Sequence, residues 1–218
     1  MRKKALFILF LILWVAAVGL GEYLLLNYEK TAGLPAHAPE SWPSGTLISR
    51  NPNQFTLLMF VHPHCPCTRA SLEELALLMT HCRENLTAQV LFLWPGKFSE
   101  DWVKSDLWKS ASRIPGVKIV LDDEGEDAKR FGTMTSGQVL LYDKNGRLLF
   151  NGGITESRGH SGDNPGRSAI ESLVLKGSVG KRQTPVFGCS LMNQKNKVCP
   201  RILQLWNSRL KFCLLKKR

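Results

Sequence analysis

Two cysteines one residue apart, Cys65 and Cys67, lie in the run His62-Pro63-His64-Cys65-Pro66-Cys67-Thr68. Thiols and imidazoles at this density suit two kinds of chemistry. One is nucleophilic exchange at sulfur, for which the thiolate is the reactive form. The other is binding of a soft ion such as Cu(I), for which thiolate and imidazole are good ligands. The surrounding sequence bears on that choice. Phe55 to Val61 is an apolar run of strand length, and Leu72, Leu75, Ala76, Met79 and Cys82 then recur at helical spacing. The cysteines therefore stand at a strand-to-helix turn. Proline is tolerated at the first helical position. Pro66 there makes Cys65 the N-cap, with Cys67 and Thr68 in the first turn. A sulfur at the cap faces unpaired N–H groups and the positive end of the helix dipole, which favours its thiolate. His62 and His64, if protonated, push the same way.

The elements that carry this turn can be read along the chain. Strands are expected at Ala88 to Trp94 and Val117 to Leu121, with one helix from Ser99 through Trp108, ended by Ile114-Pro115-Gly116. A short helix runs from Glu124 to Phe131 and stops at Gly132. Asp143-Lys144-Asn145-Gly146 joins Gln138–Tyr142 to Arg147–Phe150 as a hairpin. Asn164-Pro165 caps a last helix to Leu175. Strands alternating with helices imply an α/β sheet. Residues 1–28 form a basic N-terminus and an apolar run of anchor length. Arg2, Lys3 and Lys4 place that end in the cytoplasm and the remainder outside. A signal peptide cleaved near Ala17-Val18-Gly19 is the alternative. Residues 29–53, with Pro35, Pro39, Pro43 and Pro52, read as a linker, 54–177 as the domain, and 178–218 as a basic, poorly ordered tail. Residues 176–218 carry 11 Lys and Arg and no acid, so the net charge of +11 sits there. Such a tail suits anionic lipid or no partner at all. Nucleic acid is not an expected partner on the outer side of a membrane.

The strand, cysteine turn and helix resemble the active site of thioredoxin-fold proteins. The wider pattern is similar to membrane-anchored bacterial thioredoxin-like proteins of the TlpA type. HPHCPCTRAS, TSGQVLLYDKNGRLLFNGGITESRGHSGDN and TPVFGC resemble the RedB group, over about residues 1–190. The resemblance implies a thioredoxin-like fold preceded by one transmembrane helix, in a bacterial inner membrane with the domain in the periplasm. It implies thiol–disulfide exchange with a protein thiol or disulfide, no cofactor, and Cys65 and Cys67 as the working pair. The family spacing is C-x-x-C, whereas this pair is C-x-C. Ser136 or Gly137 stands where the family carries a cis-proline.

A bond within so short a loop is strained and correspondingly oxidising. Cys82 is expected in the core, and Cys199 and Cys213 receive no role. Cys189 is read as a spare thiol, with a resolving thiol for Cys65 or Cys67 as its alternative. The rival to exchange is a Cu(I) carrier resembling Sco-type chaperones, with Cys65, Cys67 and a remote histidine, His160, as ligands. Taken alone, His160 reads as a loop or capping residue. A non-catalytic scaffold and a peroxiredoxin-like peroxidase are further alternatives. The second lacks its threonine, because position 62 is His.

Overall fold

A computed structural model describes residues 2–178 and 180–192 of the chain. The remaining positions, including Cys199, Cys213 and most of the basic tail, lie outside the described residues. The chain begins with α1 (Arg2–Lys30), whose 29 residues span about 44 Å at the helical rise of ~1.5 Å per residue. That exceeds the ~30 Å hydrocarbon core of a bilayer, and none of its residues is buried. By length and composition it is a candidate membrane span.

The sheet beyond α1 has the order β3-β2-β1-β4-β5. Its strands are β1 (Phe55–Val61), β2 (Leu86–Trp94), β3 (Val117–Asp123), β4 (Gln138–Tyr142) and β5 (Leu148–Gly152). β1, β2 and β3 are mutually parallel, whereas β4 runs antiparallel to β1 and to β5. This is the expected thioredoxin-like α/β arrangement. The apolar run of β1 results from its central place. Alternate side chains of a strand face opposite ways, and here both faces are covered. Leu57, Met59 and Val61 pack into one core with α2 (Thr68–Cys82), α4 (Asp106–Ser112) and α6 (Pro165–Lys176). Leu58 and Phe60 pack into the other, with Phe131 and Ala128 from around α5 (Glu126–Arg130).

Beyond shifts of one or two residues at element ends, four features differ from expectation. Helix α2 begins at Thr68, not at Pro66, and its cap is Cys67 rather than Cys65. The residues before it form a tighter turn, closed by Thr68 N–H to the Cys65 carbonyl at 3.1 Å and Arg69 N–H to the Pro66 carbonyl at 3.3 Å. The single helix expected from Ser99 is two, α3 (Glu100–Val103) and α4, because Ser105 starts a second helix.

The third difference is that residues 31–53 do not hang free as a tether. They run along the second core face, held by His37 N–H to the Gly132 carbonyl (2.9 Å), Trp42 N–H to the Gly146 carbonyl (2.7 Å) and Leu148 N–H to the Glu40 carbonyl (2.8 Å). Trp42 meets Phe131 and Tyr142 edge-on at 5.3 and 5.1 Å. Prolines break secondary structure without preventing this packing. The fourth is that the domain does not stop at 177. Asn151 N–H donates to the Arg182 carbonyl and Leu191 N–H to the Met134 carbonyl, both at 2.9 Å, and Val186, Phe187 and Leu191 are buried.

One buried ion pair ties the cysteine helix to the opposite end of the fold. Glu74 of α2 has no exposed surface. Its carboxylate accepts from Gly162 N–H at 2.6 Å, Asn164 Nδ2 at 3.0 Å and the Arg167 guanidinium at 2.8 Å. Removing one member of such a pair strands the other. Glu74→Ala should therefore lower unfolding free energy by about 3 kcal/mol, at the lower end of the usual range because Arg167 keeps Asp163 at 3.0 Å. Urea denaturation of the purified chain measures this, and a loss below ~1 kcal/mol would mean that the pair behaves as a surface one.

Candidate active site

β1 delivers His62 to the edge of the turn, and α2 fixes the residues after the cysteines. Ser136 joins the two. Its hydroxyl accepts from His62 N–H at 2.9 Å and lies 2.7 Å from the Thr68 hydroxyl. Beside it Gly137 has φ +87° and donates its N–H to the Phe60 carbonyl at 2.8 Å. That conformation favours glycine. Ser136-Gly137 thus leads into β4, and no peptide bond among the described residues is cis.

Ser136 also holds the closing segment. Its N–H donates to the Cys189 carbonyl at 2.8 Å, and Thr135 and Ser190 form an antiparallel bridge. An extended peptide can add to such an exposed edge, and here the chain's own residues 188–191 occupy it. The approach is so close that a Cβ on Gly188 would collide with the Ser136 carbonyl oxygen. Only glycine fits.

This segment carries Cys189 to the turn. Its sulfur lies 2.9 Å from that of Cys65, and its N–H reaches the Cys65 sulfur at 3.3 Å. The sulfurs of Cys65, Cys67 and Cys189 all lie within 4.8 Å of one another. Cys189 is therefore part of the site, and reading it as a spare is corrected. Its distance along the chain, 124 residues from Cys65, hid it.

The environment separates the three thiols. The Cys189 thiol, then Thr68 and the Cys189 N–H, donate to Cys65 and hold it well below the ordinary thiol range, although burial opposes them. The same sharing of a proton with Cys65 pushes Cys189 up, and burial adds to the shift. Burial and then the charge of Cys65 raise Cys67, against the pull of Arg158. An acidic Cys65 agrees with the sequence reading, but its main donor is Cys189 rather than an N-cap. Cys82 is a core thiol, pushed up to about 11 by burial and by Glu171.

The histidines are placed differently from expectation. Burial lowers His62, so it stands neutral and does not assist by charge. Its Nδ1 accepts from His64 N–H at 3.2 Å, and His64 Nε2 donates to the Trp102 carbonyl at 2.9 Å. Both rings pack on Trp102, at 5.6 and 4.7 Å. Pro66 lies in the turn between the two cysteines. His160 is exposed, with Nδ1 2.8 Å from the Arg158 carbonyl, and is not in the sulfur cluster. Arg158 was not singled out by the sequence. It donates to the Gly188 carbonyl at 2.6 Å and the Thr31 carbonyl at 3.1 Å, and its guanidinium lies 5.0 Å from the Tyr28 ring. A lone arginine in a loop carries no spacing signal.

No protein-family model matches this chain, and no curated protein matches it. Among solved structures it is similar to an uncharacterized conserved protein from Geobacillus kaustophilus, at 18% identity and TM-score 0.54, over 77% of this chain and 95% of that one. It is also similar to a hypothetical protein from Sinorhizobium meliloti, at 21% identity and TM-score 0.54, over 76% and 96%. The thioredoxin domain of a thiol-disulfide oxidoreductase from Bacteroides vulgatus aligns at 17% identity and TM-score 0.43, over 66% and 98%. The likeness to the first two is one of fold.

The low pKa of Cys65 has a direct readout. Thiolate ultraviolet absorbance of the reduced protein should persist as pH falls below ~8.5, the ordinary thiol value, and should disappear in Cys65→Ser. A wild-type midpoint near ~8.5 would contradict the donor arrangement.

Proposed function

We propose that this protein is a membrane-anchored, extracytoplasmic thioredoxin-like oxidoreductase that exchanges thiols and disulfides at Cys65. The observation that carries this reading is the stabilised Cys65 sulfur with a second thiol 2.9 Å away. A static structural disulfide needs no such acidic sulfur. Thr68 and Ser136 hold the turn, and the paired Cys67 lies within 4.8 Å. The substrate is a protein thiol or disulfide, and no cofactor is required.

Cu(I) handling by the same cysteines is the competing reading, favoured by three clustered sulfurs. The Cys65–Cys189 spacing favours exchange over an ion. Sulfurs bound to one tetrahedral ion at ~2.3 Å lie about 3.8 Å apart, whereas Cys65 and Cys189 stand at 2.9 Å. That separation is on the way to a disulfide, ~2.05 Å. His160, exposed in its loop, is outside the cluster.

Exchange with a small disulfide should be lost in Cys65→Ser and retained in His160→Ala. Cu(I) affinity, measured by competition with a colorimetric chelator, should be weak in the wild type. Tight copper binding that falls ~10–100-fold in His160→Ala, with negligible exchange, would instead establish the carrier.

The anchored topology rests on α1 and on Arg2, Lys3 and Lys4 before the apolar run. A reporter fused after Leu175 should be active only outside the cytoplasm. Activity confined to the cytoplasm would reverse the orientation.

A further inference from the structure

We propose that the working disulfide joins Cys65 to Cys189, that Cys189 is the sulfur a substrate attacks, and that the couple oxidises protein dithiols. This rests on the exchange reading above and assigns its partner, its point of attack and its direction.

The partner is set by geometry. Cys189 approaches Cys65 from outside the helix, on a segment fixed by Ser136 N–H to the Cys189 carbonyl and Leu191 N–H to the Met134 carbonyl. The two sulfurs need to close by less than ~1 Å to bond. Cys67 belongs to the same tight turn as Cys65. A bond between those two would pull against the hydrogen bonds from Thr68 and Arg69 that close the turn.

The point of attack is set by exposure. Cys65 is 1% and Cys67 7% exposed, whereas Cys189 is half-buried. An incoming thiolate reaches Cys189 first. Disulfide exchange is fastest when the departing sulfur is the more acidic one. Cys65, with the Cys189 N–H at 3.3 Å and Thr68 beside it, is that leaving group.

Two exchanges complete the reaction. A substrate thiolate attacks the Cys189 sulfur, the Cys65–Cys189 bond breaks, and Cys65 leaves with the electron pair. The substrate is now held on Cys189 as a mixed disulfide. Its second thiol loses a proton to solvent and attacks the substrate sulfur of that bond. Cys189 departs and takes up a proton. Two electrons have passed from the substrate dithiol to the couple, and the substrate leaves as a disulfide. The product state is a Cys189 thiol facing a Cys65 thiolate. Stabilising that reduced state makes the disulfide a stronger oxidant, which sets the direction.

The test uses the full chain in detergent, oxidised with excess oxidised glutathione and mapped by mass spectrometry after acid quench. The expected disulfide is Cys65–Cys189, and its loss is expected in Cys189→Ser. Reduced glutathione, a monothiol that cannot complete the second step within itself, is then added briefly. Its adduct should lie on the Cys189 peptide. At equilibrium in a mixed glutathione buffer the protein should hold the electrons. A Cys65–Cys67 disulfide, an adduct on Cys65, or a protein that stays oxidised would each overturn the proposal while leaving exchange at Cys65 intact. No disulfide among the three cysteines and no reaction with glutathione would remove the exchange reading as well.

Discussion

The site depends on one backbone pairing, that of residues 188–191 with the Thr135–Ser136 edge. Without it Cys65 loses its nearest sulfur and a backbone donor. The pairing is possible because Gly188 has no side chain to meet the Ser136 carbonyl. Ser136 works on both sides of this junction. Its N–H holds the closing segment, and its hydroxyl holds the end of β1 and the start of α2. Both halves of the site are thus referred to one residue.

The charge on Cys65 is then a matter of counting donors. A buried anion is tolerated when hydrogen bonds replace its lost hydration. Here they come from a thiol, a backbone N–H and a threonine. The neighbouring groups remain neutral: His62 by burial, and Cys67 by burial with the adjacent negative charge. The site thereby confines one negative charge to one of three sulfurs. Arg158, which also acts on Cys67 and Cys189, supports the arrangement, since its contacts with the Gly188 and Thr31 carbonyls fasten the closing segment to the stretch just after α1.

The sheet and the cysteine turn were legible because periodicity and strand length report burial directly. Leu57 and Phe60 are apolar for the reason that both faces of β1 are covered. The stretches 31–53 and 180–192 were not legible. They are irregular and are held by backbone hydrogen bonds, which leave no side-chain pattern. Composition made the first look like a free tether and set the domain boundary ahead of the second. Cys189 fell beyond that boundary, so a thiol in contact with Cys65 looked unattached. The division of α3 from α4 was missed for a smaller reason: Ser105 has the character of a cap, but no glycine or proline separates Trp102 from Leu107 and Trp108, so the stretch reads as one helix.

The reach of this contact along the chain has a temporal side. Cys189 comes 124 residues after Cys65. At about 5–20 residues per second of synthesis, that is roughly 6–25 s. During the interval the nucleophile's turn has left the ribosome while its partner has not yet been made. Cys67 is then the nearest thiol of its own chain, and foreign thiols and disulfides compete on equal terms. A nascent chain halted before Gly188 carries the reactive turn without the segment that brings Cys189 to it.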